Sequence, residues 1–335
     1  MNKYIIDLTT GENDNTAQYK AKNDIANILA SIGYKEINYK YFDNHILKSF
    51  SLFKTRNHLK NCRSGIFVYQ FPLGSKRVDP FLIKELKKND SLKKVAIIHD
   101  LESLRNHSDD SEFCKKEISE LDNFDGIIAQ NHVMSKWIKS KGYKGKIVSI
   151  SVFDYLNSEL SMTKNKNNGI IYAGNLSKEK SGFLNNFESE IPVNVYGINP
   201  SEKYPTNIKY KGNFPSDVLV KKINESFGLI WDGSSLEECN GTFGNYERYN
   251  TPHKLSLYLS TGTPVIVWKN AAIADFVLSN NVGVVVETLH DVETVINEMN
   301  EEMYTAMKSN ALEISQKLRR GYYTIQAIRK IEEAI

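Results

Sequence analysis

The chain has 335 residues, 41% of them hydrophobic and 25% charged, with a formal net charge of +3 at pH 7. That length exceeds one ordinary core and allows two domains. The composition excludes a disordered chain, and so small a charge gives no support to nucleic-acid binding.

In chain order, Lys3–Leu8 is a first buried strand, followed by a polar loop with Gly11. Ile25, Ile28, Leu29 and Ile32 recur at helical spacing, with Asn15 or Thr16 placed to cap that helix and Gly33 to end it. Lys35–Phe42 reads as a second strand. Lys54, Arg56, Lys60, Arg63, Lys76 and Arg77 form a basic stretch, which is either a solvated face or a contact for an anionic membrane or polyanion. Further strands follow at Gly65–Phe71, Lys94–His99, Gly126–Gln130 and Lys146–Ser151. The helices between them fall at Pro80–Lys88 and around Val133–Lys141.

Residues 157–168 are polar and rich in lysine and asparagine, and are read as a linker between domains 1–156 and 169–318. Strand and helix alternation then restarts. Strands are expected at Gly169–Ala173, Pro192–Tyr196, Ile208–Tyr210, Gly228–Trp231, Val265–Trp268 and Gly283–Val286. Helices are expected at Asp217–Asn224, from Thr251, and over Ala271–Leu278. Leu236–Tyr249 has no periodicity and reads as a mobile loop. Residues 319–335 close the chain as an amphipathic helix. Such alternation implies an α/β fold of two doubly wound, Rossmann-like sheets, with ligands at the carboxyl ends of the strands.

The first strand of neither half is followed by a GxGxxG fingerprint, and the chain has no Walker A sequence. Cys62, Cys114 and Cys239 are widely separated, which argues against a disulfide framework or a zinc site and for a reducing, cytoplasmic setting. The N-terminus MNKYIIDLTTG lacks a signal-peptide pattern. No apolar run approaches the roughly 20 residues of a membrane span.

Four places carry chemistry. His253 and Lys254 sit in the first turn of a helix, where a lysine opposes the helix dipole unless an anion compensates it, so a bound phosphate is expected there. Gly174-Asn175 closes the first strand of the second half, with Lys178 either meeting a phosphate or standing in solvent. His99-Asp100 ends a strongly apolar strand; Asp100 either caps the next loop or accepts a proton from an attacking hydroxyl, with His99 beside it. Asn15 and Thr16 suit capping and ligand contact equally. Asp232, after another strand, reads as turn chemistry first, and Tyr258 as a core or an edge residue.

Taken together, Asn15-Thr16-Ala17-Gln18, Ile97-Ile98-His99-Asp100, Gly174-Asn175, Gly228-Leu229-Ile230-Trp231, Lys254-Leu255, Gly262-Thr263-Pro264-Val265-Ile266-Val267 and Leu318-Arg319-Arg320-Gly321-Tyr322-Tyr323 resemble GT-B glycosyltransferases. More narrowly, the chain resembles the glucosyltransferases that take the second step in glycosylating serine-rich repeat adhesins of Gram-positive bacteria. The resemblance implies two domains facing a cleft and a UDP-sugar as donor substrate. No cofactor or metal is expected, and the acceptor is a GlcNAc-bearing adhesin polypeptide. It places donor contacts on Lys178, Tyr210 and Lys254 and suggests a homo-oligomer. It also implies that the last helix packs back on the first domain. Many retaining GT-B enzymes carry two glutamates where this chain has Tyr249 and Leu257, which favours inversion. Two alternatives remain open: a galactofuranosyl- or hexosyltransferase using a lipid-linked acceptor at a membrane surface, and a non-catalytic partner that only binds the acceptor.

Overall fold

A computed structural model describes residues 1–9, 17–42, 44–74, 77–161, 163 and 165–335. Asn15 and Thr16 therefore lie outside the described residues. The chain forms two compact units, one of Met1–Ser151 with Gly321–Ile335, the other of Val152–Arg320.

The first unit holds β1 (Asn2–Thr9), β2 (Lys35–Lys40), β3 (Gly65–Phe71), β4 (Leu92–Ile98), β5 (Gly126–Ala129) and β6 (Lys146–Ser149). All are parallel, in the order β2-β1-β3-β4-β5-β6. β3 is buried at every position, as a strand covered on both faces must be. The helix Ala17–Ser31 buries Ile25, Ile28 and Leu29. Past its end, Gly33 takes a φ of +95°, where a side chain would strain the backbone.

The terminal helix Tyr322–Ala334 belongs to this unit. Its Ile328 and Ile331 are fully buried, each contributing about 1.5–3 kcal/mol. Glu332 accepts from Lys3 and Tyr34, tying the helix to the start of the chain. Gly321 precedes it at φ +72°, and a Cβ there would lie 2.6 Å from the Ile28 side chain.

The second unit holds β7 (Ile170–Ala173), β8 (Val193–Tyr196), β9 (Ile208–Gly212), β10 (Phe227–Ile230), β11 (Val265–Trp268) and β12 (Gly283–Val286). Its parallel order, β9-β8-β7-β10-β11-β12, is that of doubly wound dinucleotide-binding sheets. The order reverses between β7 and β10, and such sheets open a ligand crevice at that switch point, beyond the carboxyl ends of the strands.

Two expectations need correction. The described residues of the stretch read as a linker, 157–161, 163 and 165–168, group with the second unit. Asn157 donates to Ser260 Oγ (2.6 Å), the Ser161 amide to the Thr261 carbonyl (2.8 Å), and Thr163 to Asn224 Oδ1 (2.7 Å). Polar side chains here serve to pair with the second unit, and the unit begins at Val152 rather than after a linker. The stretch from Leu236 to Tyr249 is folded rather than a loose loop. It contains the helix Gly241–Tyr246, and it buries Cys239, Tyr246 and Glu247. The Ala272 amide donates to the Glu247 carbonyl at 2.8 Å. Long-range contacts of this kind leave no periodicity to read.

Candidate functional site

At the β7/β10 switch point the second unit assembles a buried charge cluster. β7 supplies Tyr172 and is followed by Gly174. β10 runs into Trp231-Asp232-Gly233, and the helix His253–Ser260 supplies Lys254 from its first turn. Lys254 Nζ is hydrogen-bonded to Asp232 Oδ1 and lies 3.2 Å from the Tyr172 hydroxyl, which itself donates to Asp232 Oδ1 at 3.0 Å. Lys180 Nζ reaches Asp232 Oδ2 at 3.5 Å. The side chains of Lys254 and Asp232 are only 10% and 8% exposed. The lysine in the first helical turn thus has its compensating anion, and that anion is the protein's own Asp232.

The electrostatics follow from this packing. Burial alone would raise the Asp232 carboxyl, but the Lys254 and Lys180 ammonium groups and the hydrogen bonds from Lys254 and Tyr172 hold it below the ordinary value. Glu247 lies behind it, fully buried, with Cys239 Sγ donating to Oε2 at 3.4 Å and no partner for Oε1. Burial first, then the Asp232 carboxylate, push Glu247 up to about 8, against the pull of Lys254. Two lysines, one ionised carboxylate and one carboxyl that holds its proton leave an excess of positive charge, which suits an anionic ligand.

The backbone around the cluster is built for close approach. A Cβ on Gly174 (φ +153°) would sit 4.0 Å from Lys254 Cε. Gly197, after β8, packs its α-carbon against the Gly174 carbonyl so closely that a Cβ would lie 1.6 Å from that oxygen. Tyr210 on β9 donates to the Gly197 carbonyl at 3.0 Å. Asn175 accepts from Ser177 N (3.1 Å) and Asn199 Nδ2 (2.9 Å), shaping the turn after β7. Tyr258 is a core residue: fully buried, it accepts from the Ala173 amide at 2.8 Å.

Of the expected donor residues, Gly174 and Lys254 meet here, with Asn175 next in the chain and Tyr210 linked to the turn through the Gly197 carbonyl. Lys178 is exposed, and Lys180, two positions on, is the lysine that reaches Asp232. Nothing in Lys178-Glu179-Lys180 tells the two apart before the turn is built. The His253 ring packs against Tyr155, 5.1 Å between centroids. Glu247 carried no signal at all, since its burial depends on partners far along the chain.

In the first unit, the order reverses between β1 and β3. His99 follows β4 in the core, its Nε2 2.9 Å from Gln70 Oε1 and its carbonyl accepting from Gln130. Gln70 Nε2 in turn donates to Ile6 O at 3.1 Å. This histidine holds strand ends together. Asp100, 20% exposed, pairs with Arg105 at 3.1 Å. Asp7 on β1 is a further buried carboxyl; burial, then Glu36, push it up to about 6, and its Oδ1 meets no partner. A depression lined by Met1, Asn2, Gly65 and Lys93 opens at the amino ends of the strands, where such sheets do not bind ligands. Among the described residues, no group of three or more His, Cys, Asp or Glu side chains is placed to hold a metal ion, and no helix is long and apolar enough to cross a membrane.

Solved glycosyltransferases share this architecture. Sucrose-phosphate synthase from Thermosynechococcus elongatus superposes with a TM-score of 0.65 at 12% identity, over 99% of both chains. The E. coli trehalose-6-phosphate enzyme bound with UDP-2-fluoro glucose gives 0.61 at 10% identity, over 99% of this chain and 100% of its own. The chain therefore has the α/β GT-B fold. In sequence it is 31% identical to the beta-1,6-galactofuranosyltransferase WbbI of Escherichia coli (strain K12), over 98% of this chain and 97% of that one. It is 24% identical to glucosyltransferase 3 of Streptococcus parasanguinis, over 97% and 96%. Residues 2–152 match the N-terminal domain, and residues 170–331 the C-terminal domain, of the glucosyltransferase 3-like family, to which this chain belongs.

Proposed function

We propose that the chain is a glycosyltransferase that moves a hexosyl group from a UDP-sugar to a hydroxyl of a carbohydrate acceptor. The buried Lys254–Asp232 pair at the β7/β10 switch point carries this reading. Breaking the bond between the anomeric carbon and the diphosphate leaves its electron pair on UDP. Lys254 and Lys180 stabilise that charge without a metal ion, and the amides beside Gly174 allow the phosphates to approach the backbone. Asp100 takes the proton of the attacking hydroxyl, held in place by its Arg105 partner. Tyr249 and Leu257, in place of a glutamate pair, fit inversion at the anomeric carbon. The working form in this reading is a cytoplasmic homo-oligomer.

Two acceptors are in play. The family match and the streptococcal relatives favour glucose transfer; the motif resemblance adds GlcNAc-modified serine or threonine of an adhesin as the acceptor. The higher identity to a galactofuranosyltransferase, 31% against 24%, favours galactofuranose as the sugar transferred; a lipid-linked carbohydrate is the acceptor that goes with this reading. The test is purified protein with UDP-glucose, UDP-GlcNAc or UDP-galactofuranose, each offered a GlcNAc-peptide and a glycolipid, with chelator present. A mass increase of one sugar unit identifies donor and acceptor together. Acceptor binding with no turnover of any donor would leave only a non-catalytic partner.

A further inference from the structure

The helix His45–Lys60 in the first unit is inside out. Its buried face consists of Ser51, Thr55 and Leu59, spaced i, i+4 and i+8. Ser51 Oγ donates to the Lys40 carbonyl at 2.6 Å and Thr55 Oγ1 to the Asn38 carbonyl at 3.4 Å, so two of the three buried residues seat the helix on edge strand β2 through hydroxyls. Four of the helix's apolar residues lie outside that face. Ile46, Phe50 and Phe53, at i, i+4 and i+7, are 79%, 68% and 55% exposed, and Leu47 beside them 48%. At 100° per residue this stripe lies opposite the buried one. An ordinary surface helix buries its apolar stripe and wets its hydroxyls.

The charges say what covers the stripe. Residues 45–60 include Lys48, Lys54, Arg56 and Lys60 and no acidic residue. Arg56 is taken up by Glu85 at 2.9 Å, while Lys54 and Lys60 are exposed on the outer side with the apolar stripe. A second copy of the chain docked stripe to stripe would bring these lysines together with no carboxylate on the helix to pair them. An anionic bilayer accepts both features, since aromatic and branched side chains enter the boundary below the headgroups while lysines meet the lipid phosphates.

We propose that the helix His45–Lys60 docks the protein on an anionic lipid surface, lying in the interface with Ile46, Phe50 and Phe53 inserted. The inference rests on this face alone and stands apart from the choice of sugar. It gives the basic stretch noted in the sequence a partner class, and gives the enzyme a way to work beside acceptors held at a membrane.

The full chain is sedimented with vesicles of phosphatidylcholine alone or mixed with phosphatidylglycerol, and its self-association is followed without lipid by velocity sedimentation. Binding is expected to the mixed vesicles only. Lys54→Gln and Lys60→Gln should each weaken it about fivefold, and added salt should weaken it further. Phe50→Ser with Phe53→Ser should weaken it by at least about tenfold with an unchanged melting temperature, because both rings are already in water. Absence of binding, equal binding to neutral vesicles, or binding untouched by the phenylalanine changes would overturn the proposal. Self-association abolished by the same changes, without vesicle binding, would assign the face to a second copy instead.

Discussion

Lys254 and Asp232 form a buried ion pair at the point where the second sheet reverses its strand order, with Lys180 3.5 Å from the remaining carboxylate oxygen. The pair aims the Lys254 ammonium group at the switch point and holds the Asp232 carboxyl below its ordinary value. It also poses an exchange, because an incoming diphosphate competes with Asp232 for the same ammonium group.

That competition makes the pair separable by mutation. Lys254→Ala leaves Asp232 buried without its main partner and should cost about 3–5 kcal/mol of stability in urea melts. Adding Asp232→Ala should recover most of that loss and none of the nucleotide binding. Equal stability of the two variants would show that the ion pair does not hold the site together.

Asp232→Asn removes the anion and keeps the shape. Lys254 and Lys180 are then left facing one another, so the unliganded protein should melt lower. UDP should raise its melting temperature more than it raises that of the wild type, since bound phosphate replaces the missing charge.

Glu247 sets a pH dependence. Its carboxyl is raised from 4.5 to about 8 in the folded chain, which therefore holds the proton more tightly than the unfolded chain does. Its contribution to stability is full below 4.5, declines as pH rises through the window, and is lost above about 8. Glu247→Gln cannot ionise, so across that window its stability should rise relative to the wild type. Parallel pH profiles of the two proteins would contradict the assignment.

Gly197→Ala tests the backbone around the site. The new methyl would lie 1.6 Å from the Gly174 carbonyl at a φ of +144°. A loss of at least about 3 kcal/mol is expected, with weakened UDP binding in whatever folds.

His99 and Asp100 should separate in kind. His99→Ala strips Gln70 of its buried partner and should lower stability by about 1–3 kcal/mol. Asp100→Asn should leave UDP affinity unchanged and lower kcat by about a hundredfold or more. Full turnover in Asp100→Asn would move the proton-accepting role elsewhere.

The core strands were legible because they are short apolar runs bounded by turn residues: β3, β11 and β12 begin and end where the sequence places them. The helix His45–Lys60 was not, since apolar periodicity marks the buried side only when the helix is built the usual way round. At the site, Lys254 was legible from helix-dipole physics and Gly174 from its place after a strand. Lys180 and Glu247 were not, because a four-residue turn and a folded insertion set their directions through contacts distant in sequence. Asp232 was read as turn chemistry because only the assembled sheet shows that β10 lies next to β7.

The central claim is that the positive charge at this switch point holds the diphosphate of a nucleotide sugar, and calorimetric titration of UDP into the wild type and Lys254→Met tests it most directly. Methionine fills much of the same space without the charge. The account predicts binding to the wild type and a loss of at least about thirtyfold in the variant. Equal affinity in both proteins, or no UDP binding by the wild type, would contradict it.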